Sequence, residues 1–575
     1  MWGTLCAPLQ AIRARGGWRQ RLGLEGDVPT PAPSRLALGH LQAWGDGDCS
    51  SAQLVWHLRH ALEDGMQHPM VQRLARCGGD NPTNSRAAIG LVSLVETCGF
   101  GDVMTDVHGD VVQKVVLPSS LLALLHTRFS HKFDMLLGTE PGRLERFWGT
   151  LRAHSDFAAH VRDNPVLRSL GPEDWKTLVP LTIHEDAGPF THRQSTNIIS
   201  WSSLFGAGGE KKCQYMYASY IKRDALTGAQ LESVWAPLLH GLETLATQGV
   251  GGYRFFVLFG KGDMEVRSNT WGLPHYNGIE VCSECRCNRS SHPYTDLRGG
   301  AAWRPTLVVT TEAFRSRLRL PLHPLMASSL FWRRFSPLDL MHVADCNGVA
   351  CILAGSIIRP LVVGEPRLGR TQDERLAEIN RRLVAFYDAR PGYSRMAPLR
   401  HNNLQLNEWS VLHGKTAKAA NTRCLTPFLV ELAEAFYDDQ AREEHRLVNR
   451  AARGMNRFYE IVYGADVFLN TAELSELRRV LLRTGTATQQ LRGIARARGE
   501  MTWNITPKVH ALQHFCEQAG VVNPRCTQNY MEESQVGTTT KVWARAARGR
   551  YTRRGQRVVL LKRLVALCVR LEVNL

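Results

Sequence analysis

The stretch Tyr253-Arg-Phe-Phe-Val-Leu-Phe-Gly-Lys-Gly-Asp263 decides the fold. Its run of aromatic and β-branched residues predicts a buried strand, and the Gly-Lys-Gly that follows lets the backbone turn. Asp263 is thereby left at the exposed end of the strand, where α/β sheets hold their chemistry. A carboxylate there can bind a divalent metal, although an Asp that only forms the turn explains the same pattern.

Three further strands and one helix precede this stretch. We predict strands at 178–183, 197–204 and 213–221, with a polar turn at 184–189 after the first, and a helix that opens at Thr227 with Leu residues along one side. This order of elements resembles that of the ribonuclease-H-like nucleotidyl transferases, in which the first and fourth strands lie side by side. In such an α/β core, Asp186 and Asp263 could share a metal ion.

Composition limits the class of protein. The chain has 575 residues, 44% of them hydrophobic, which is enough for a sizeable core in roughly two to four domains or in one domain with large insertions. Its 70 Lys and Arg against 53 Asp and Glu give a net charge of +17, which favours polyanionic partners, nucleic acid first among them. A basic protein without a specific site would have the same balance. No run of about eighteen apolar residues occurs, so no membrane span is expected.

The 14 cysteines are scattered, apart from Cys282, Cys285 and Cys287. This density does not indicate a disulfide framework and favours a reducing compartment. Cys282-x-x-Cys285 on a tight loop is half of a tetrahedral zinc site, because two thiolates at this spacing can bind one ion. A reduced pair that binds nothing is the alternative. Candidates for the other half are Cys287, His275, His292, His510, His514 and Cys516.

Two polar motifs follow the Cys-rich loop. Asp339-x-x-His342 would place both side chains on one face of a helix, either as an N-cap with a packed histidine or as a substrate-positioning pair. His510 and His514 lie at i and i+4 after Pro507, so they share a helix face and can bind a metal or face a core.

Domain boundaries follow from composition and hydrophobic periodicity. The expected parts are a flexible N-terminus at 1–50, a helical N-terminal region at 51–174, a core with its Cys-rich loop (282–287) at 175–365, a helical insertion at 366–502, completion of the core at 503–540 and a basic C-terminal helix or tail at 541–575.

Basic residues concentrate in the helical insertion and near the C-terminal end, where the excess fits phosphate contacts. Solvated charged faces are the simpler explanation of most such residues. The candidates for nucleic-acid binding are Lys415, Lys418, Arg423, Arg550, Arg553 and Arg554.

Taken in order, the motifs resemble those of the DDE transposases of the Plavaka-type CACTA and KDZ groups. The motifs are His184-Glu-Asp186-Ala-Gly-Pro, Gly262-Asp263 followed by Leu-Pro-His-Tyr-Asn, Cys282-x-x-Cys285, Asp339-Leu-Met-His342, Pro507-Lys-Val-His510 and Glu533. The resemblance spans 178–537. It implies a ribonuclease-H-like core with a Cys-rich loop, a large helical insertion and a final Glu on a helix.

This resemblance also implies an activity, metal-dependent cleavage and transfer of DNA strands with two Mg²⁺ or Mn²⁺ ions. The catalytic carboxylates that it implies are Asp186, Asp263 and Glu533. The supporting residues are Asp339, His342 and His510, and the residues of a Zn²⁺ loop are Cys282, Cys285 and Cys287. The expected partner is DNA, with no membrane, and the expected setting is the nucleus, with a homo-oligomer assembled on element ends.

Several alternatives stay open at this stage. Glu185 and Glu532 adjoin two of the implied ligands, Asp186 and Glu533, so the metal ligand at either place could be the neighbouring glutamate instead. A domesticated or decayed copy that binds nucleic acid without catalysis fits the same motifs, and so does a structure-selective nuclease on the same core. Arg-rich sequence before Glu25 gives organelle import as an alternative to the nucleus.

Overall fold

A computed structural model describes residues 34–80, 83–97, 100–108, 112–190, 195–206, 215–222, 228–405, 408–413, 417–546 and 553–574. Lys415, Arg550 and residues 207–214 of the predicted hairpin lie outside these ranges. The side chains of Arg553 and Arg554 also lie outside the described part, so their predicted contacts with nucleic acid stay predictions.

The chain divides into two compact units that alternate along the sequence. The sheet unit comprises the residues up to Gly260, Pro321–Phe335 and the residues from Tyr530 onward. The helical unit comprises Lys261–Leu320 and Ser336–Asn529. These boundaries differ from the expected ones, because the N-terminal and C-terminal segments belong to the sheet unit and the Cys-rich loop belongs to the helical unit.

The structure combines one sheet with many helices, so the predicted mixed α/β class with a large helical portion is confirmed. The helices are α1 Arg35–Gly45, α2 Ser51–Glu63, α3 Pro69–Ala75, α4 Asn84–Thr97, α5 Pro118–Arg128, α6 Ser130–Leu137, α7 Arg143–Arg152, α8 Ser155–Asp163, α9 Pro165–Arg168, α10 Asp174–Thr177, α11 Gly228–Thr247, α12 Thr311–Arg315, α13 Pro324–Ala327, α14 Val349–Gly364, α15 Gln372–Asp388, α16 Ala419–Phe436, α17 Glu443–Gly464, α18 Thr471–Ala497, α19 Pro507–Leu512, α20 Phe515–Ala519, α21 Tyr530–Ala546 and α22 Arg553–Asn574.

Six strands form a sheet in the order β1-β2-β5-β4-β3-β6. The strands are β1 Met104–Val107, β2 Gln113–Val116, β3 Leu178–Pro189, β4 Ser195–Ser203, β5 Tyr215–Lys222 and β6 Arg254–Lys261. Strands β3, β4 and β5 pair antiparallel, and β1 and β2 extend the sheet beyond β5. The first and fourth of the predicted strands, β3 and β6, are neighbours, as expected.

Strand β3 is longer than predicted. The polar stretch 184–189 was expected as a turn, and it continues the strand until Pro189 pairs with Ser195. The prediction was wrong because polar side chains were taken to mark solvent exposure. His184, Glu185 and Asp186 are instead buried at 1%, 0% and 8% exposure.

The N-terminal segment contains an ordered helix where a flexible linker was expected. Ser34 caps α1 by accepting a hydrogen bond from the Ala37 amide at 3.3 Å. Gly45 of α1 serves packing, since a Cβ there would lie 2.6 Å from Cβ of Ala566 on α22. The small residue therefore lets α1 and α22 approach closely.

The helical unit has one continuous apolar core built mainly from α14 to α20. Its most apolar stretch, Met341–Gly364, has a mean hydropathy of 1.7 and is long enough to cross a membrane. In the structure 72% of its most apolar window is buried inside the protein, which is the environment of a core helix.

Candidate functional site

The helical unit contains a buried group of metal-ligating side chains. Cys282, Cys285, His510 and His514 each offer one ligand atom, and these atoms all lie within 4.8 Å of one another. Their exposures are 6%, 0%, 0% and 2%. Two thiolates and two imidazoles are the ligand set of a closed, structural zinc site. The structure thus supports a metal site on the predicted Cys-x-x-Cys.

The distances within this group suit one tetrahedral ion. The Sγ atom of Cys285 lies 3.2 Å from Nε2 of His510, which lies 3.0 Å from Nε2 of His514. Metal–ligand bonds of 2.0–2.3 Å at tetrahedral angles separate two nitrogens by about 3.3 Å and a nitrogen from a sulfur by about 3.6 Å. The residues present therefore fit zinc, and the ligand atoms of the two histidines are their Nε2 atoms.

Local sequence explains how the histidines reach the thiolates. Pro507 starts α19 at a position that needs no amide hydrogen, and His510 follows in the next turn. His514 lies at the start of α20, one helical turn beyond His510. Glu517 is 3.5 Å from Nδ1 of His514, so a carboxylate lies behind the ring, as is common at metal-bound histidines.

Arg317 organises the loop that carries the two cysteines. Its guanidinium donates to the carbonyl oxygens of Cys282 at 2.7 Å and Cys285 at 3.0 Å, and forms an ion pair with Glu280 at 2.6 Å. Sequence reasoning did not find Arg317, because nothing in its neighbourhood marks it as different from other basic residues.

Burial and mutual contact shift the pKa values of the cluster. The pKa of the Cys282 thiol falls well below its usual value: burial opposes this shift, but hydrogen bonds from the neighbouring thiols and the charge of His514 outweigh it. The pKa of His514 rises to about 10, since the Cys282 thiolate and Glu517 overcome the effect of burial. Without an ion, the cluster thus favours a thiolate–imidazolium pair.

Cys287 was predicted as a ligand, and the four-residue group does not include it. Its thiol contacts those of Cys282 and Cys285, and burial is complete at 0% exposure. His510 was implied as a support for the carboxylates, and it lies in the metal group instead. The sequence predicted neither outcome, because His510 and His514 lie more than two hundred residues from Cys285 along the chain and local spacing does not reveal such a pairing.

Asp186 and Glu185 lie on opposite faces of β3, because side chains alternate along a strand. Glu185 is 3.4 Å from Nε2 of His323 and accepts a hydrogen bond from Asn197 at 3.3 Å. Since Glu185 is held in this buried pair, Asp186 is the better candidate for a ligand on the other face. Oδ1 of Asp186 accepts from the Ala187 amide at 2.6 Å.

Helix α21, which carries Glu533, packs along β3. Phe190 at the end of the strand stacks on Trp543, with ring centroids 5.3 Å apart. Two residues earlier, a Cβ on Gly188 would lie 2.4 Å from Thr540 and 2.9 Å from Val536. Strand and helix therefore run in the same direction in close contact.

This packing of α21 along β3 places Asp186 beside the start of the helix. Two residues along β3 cover about 7 Å, which corresponds to four or five residues of helix. Counted back along α21 from Val536 and Thr540, which face Gly188, this distance reaches the first turn of the helix, where Glu532 and Glu533 lie. Glu532 is 1% exposed, whereas Glu533 is half-buried and more accessible to a ligand.

Asp263 follows β6 and belongs to the helical unit, whereas Asp186 and Glu533 belong to the sheet unit. Oδ1 of Asp263 accepts from the Val266 amide at 2.6 Å and caps a short π-helical turn. The turn-forming role considered at the outset is therefore present.

The predicted pair Asp339 and His342 is in direct contact, with 2.5 Å between Oδ2 and Nδ1. Asp339 also accepts from the amides of Met341, His342 and Asn529. These four contacts fix the carboxylate and orient the imidazole, so Nε2 of His342 is the atom turned away from Asp339.

Lys508 joins these acidic residues within the helical unit. Its ammonium donates to the carbonyl oxygens of Cys346 at 2.9 Å and Asn347 at 3.2 Å. Burial lowers the pKa of Lys508, while the charges of Asp263 and Asp339 oppose that shift. Asp263 and Asp339 therefore lie near one cation, which sequence reasoning overlooked although Lys508 stands in the Pro507–His510 motif.

One of the predicted nucleic-acid residues has another role in the structure. Lys418 is exposed, but the guanidinium of Arg423 packs on the ring of Tyr463 at 4.3 Å and donates to its hydroxyl. In the C-terminal region, Arg563 and Arg570 are buried and both pair with Asp46, at 2.7 and 2.9 Å. Arg563 and Arg570 are thus part of the interior of the sheet unit, because the apolar faces of α22 pack there.

Comparison of the chain with protein-family models finds no match, and comparison with curated proteins finds none either.

Proposed function

We propose that the chain is a DNA transposase of the DDE class, with Asp186, Asp263 and Glu533 as its metal-binding carboxylates. One observation carries most of the proposal: β3, with Asp186, lies between β4 and β6 in a sheet of order β5-β4-β3-β6, and helix α21, with Glu533, packs along it. A ribonuclease-H-like core has this strand order. The third carboxylate, Asp263, follows β6 by two residues along the chain.

Two divalent ions supply activation of a water or DNA 3′-hydroxyl and stabilisation of the leaving oxygen in this class of reaction. The chain's own part is to hold those ions through hard carboxylate oxygens and to bind the phosphates. His342, held by Asp339, is oriented to accept or donate a proton at Nε2. No covalent enzyme intermediate is required.

In this proposal, the Cys–His cluster is a structural zinc site. All four ligands come from the protein and are buried, so no position remains open for substrate. Bound zinc would link the Cys-rich loop to α19 and α20, which lie far from it along the chain. The protein would act in the nucleus as a homo-oligomer on element ends.

The test is metal-dependent nicking and strand transfer on DNA that contains the element ends. Asp263→Asn should abolish both reactions in Mg²⁺ and Mn²⁺ and leave DNA binding within a few-fold of the parent, because the substitution removes a ligand but little volume. Equal cutting by the Asn variant and the parent would refute the assignment.

A second candidate function is nucleic-acid binding without catalysis, as in a domesticated or decayed copy. The capping contact of Asp263 with the Val266 amide favours it, since a structural role alone then explains this residue. Binding with steep salt dependence, together with no cleavage by the parent in Mn²⁺, would support this candidate.

A further inference from the structure

The Cys-rich loop lies in a segment with an excess of positive charge. We call residues 275–320 the knuckle. Its acidic residues are Glu280, Glu284, Asp296 and Glu312, and its arginines are Arg286, Arg289, Arg298, Arg304, Arg315, Arg317 and Arg319.

Most of the knuckle's acidic residues are already paired. Glu280 pairs with Arg317, Glu284 pairs with Arg267 at 3.5 Å, and Asp296 pairs with Arg298 at 2.8 Å. Only Glu312 remains exposed on α12. The charge of the other arginines is therefore largely uncompensated within the knuckle.

Besides Arg315 and Arg319, the exposed part of this excess includes Arg286 and Arg289, which lie at the Cys-rich loop. Among the described residues, neither forms an ion pair; Arg289 makes only a 3.5 Å contact with the carbonyl oxygen of Tyr276. Exposed arginines elsewhere in the helical unit commonly have a carboxylate partner, for example Arg381 with Glu378 at 2.7 Å.

The backbone around these two arginines is held in a defined shape. Arg286 directly follows the ligand Cys285, and its amide donates to Thr306 at 3.0 Å. Asn288 closes the next turn by accepting from the amides of Ser290 and His292, at 2.8 and 3.0 Å. A loop already ordered loses little entropy on binding, which favours affinity.

The surroundings suit a phosphate backbone. Ser290 and Ser291 are exposed beside the arginines, and their hydroxyls contact Asn288 and His292 within the turn. Tyr276, 40% exposed, lies against His275 with 4.1 Å between ring centroids. Arginines on a rigid, polar loop provide the usual contacts to DNA phosphates.

We propose that the exposed face of the knuckle binds the phosphate backbone of double-stranded DNA through Arg286 and Arg289. This inference rests on the proposed function, because it names a surface by which a transposase would hold its substrate. The contact is independent of base sequence, so it sets affinity and position and leaves the choice of site to other residues.

The experiment compares two double variants of the full chain. R286A/R289A removes two exposed cations without an ion-pair partner, and R381A/R453A removes two exposed arginines whose charges are neutralised, Arg453 by Glu434 at 2.9 Å. Binding of a short fluorescein-labelled duplex is followed by anisotropy at rising salt, without divalent ions. Zinc content and circular dichroism establish that both variants keep the parent's fold.

We expect the slope of log affinity against log salt to become shallower by about 1.8 in R286A/R289A, since each phosphate contact contributes about 0.9. The control should keep the parent's slope. An unchanged slope in R286A/R289A, or the same change in both variants, would overturn the inference. Loss of binding to single-stranded RNA or to an acidic protein, with duplex binding intact, would also overturn it.

The two proposals fail separately. If the parent nicks DNA but the slope does not change, the knuckle inference is wrong and the catalytic proposal stands. If the slope changes while Asp263→Asn nicks as well as the parent, the knuckle inference stands and the catalytic assignment is wrong.

Discussion

A substitution at Gly188 tests how the carboxylate of α21 is positioned. In Gly188→Ala, the added Cβ would lie 2.4 Å from Cγ2 of Thr540 and 2.9 Å from Cγ1 of Val536. Ordinary van der Waals contact needs about 3.5–4.0 Å, so the helix must move away from β3 by about 1 Å unless Thr540 rotates. Rotation would break the hydrogen bond from its hydroxyl to the Gly537 carbonyl, at 3.0 Å.

The magnitude follows from this clash. Overpacking by one carbon costs roughly 1–3 kcal/mol of unfolding free energy. A displacement of about 1 Å in a positioned catalytic group can lower turnover roughly 100-fold. Gly188→Ala should therefore lower nicking far more than its stability loss alone would, because the folded fraction remains high.

The assay is a double-mutant cycle with Thr540→Ala, which removes the closer methyl group. We expect Thr540→Ala to restore at least half of the stability and part of the nicking that Gly188→Ala loses, measured by urea unfolding and by Mn²⁺-dependent cleavage. Additive effects of the two substitutions, or parent-like stability of Gly188→Ala, would show that α21 does not pack on β3 at this level.

Three further predictions concern buried charges. Asp46→Asn should cost about 3–5 kcal/mol of stability in urea unfolding, because it leaves two buried guanidiniums without their carboxylate; parent-like stability would contradict the pairing. Lys562→Met should stabilise the protein by up to about 3 kcal/mol near neutral pH, since burial lowers the pKa of Lys562 from 10.5 to about 8. The folded state binds this proton less readily than the unfolded state, so the parent's stability should rise from pH 8 to 10.5 and the variant's should not; parallel pH curves would contradict this. Glu517→Gln should weaken zinc binding roughly 10- to 100-fold in competition with a chelator, because His514 loses the carboxylate behind it, and unchanged affinity would exclude that role.

The elements nearest to the opening stretch could be predicted well. Strand β6 runs from Arg254 to Lys261, almost as expected, because a short run of aromatic and β-branched residues favours a buried strand. That β3 and β6 are neighbours was expected from the resemblance to the ribonuclease-H-like nucleotidyl transferases. His184 and Glu185 misled the prediction, because burial of polar side chains in β3 depends on partners such as His323 that are distant in sequence.

Half of the metal site could be predicted from spacing. Cys282 and Cys285 are close in sequence, and their chemistry is evident from their pattern. The two histidines were open candidates because only the fold brings α19 to the loop. Gly45 is a related case. The sequence alone does not distinguish a glycine that permits close packing of two helices from a glycine in a flexible linker.

The central claim is that three carboxylates catalyse DNA strand transfer. Its most direct test is Mn²⁺-dependent cleavage of DNA containing the element ends by the parent, Asp186→Asn, Asp263→Asn and Glu533→Gln, with Glu185→Gln and Glu532→Gln as neighbouring controls. We expect that the parent cuts, that the first three variants lose activity by roughly 1,000-fold or more at retained DNA binding, and that the two controls keep measurable cleavage. Cleavage by any of the three at the parent's rate, or loss confined to the controls, would contradict it.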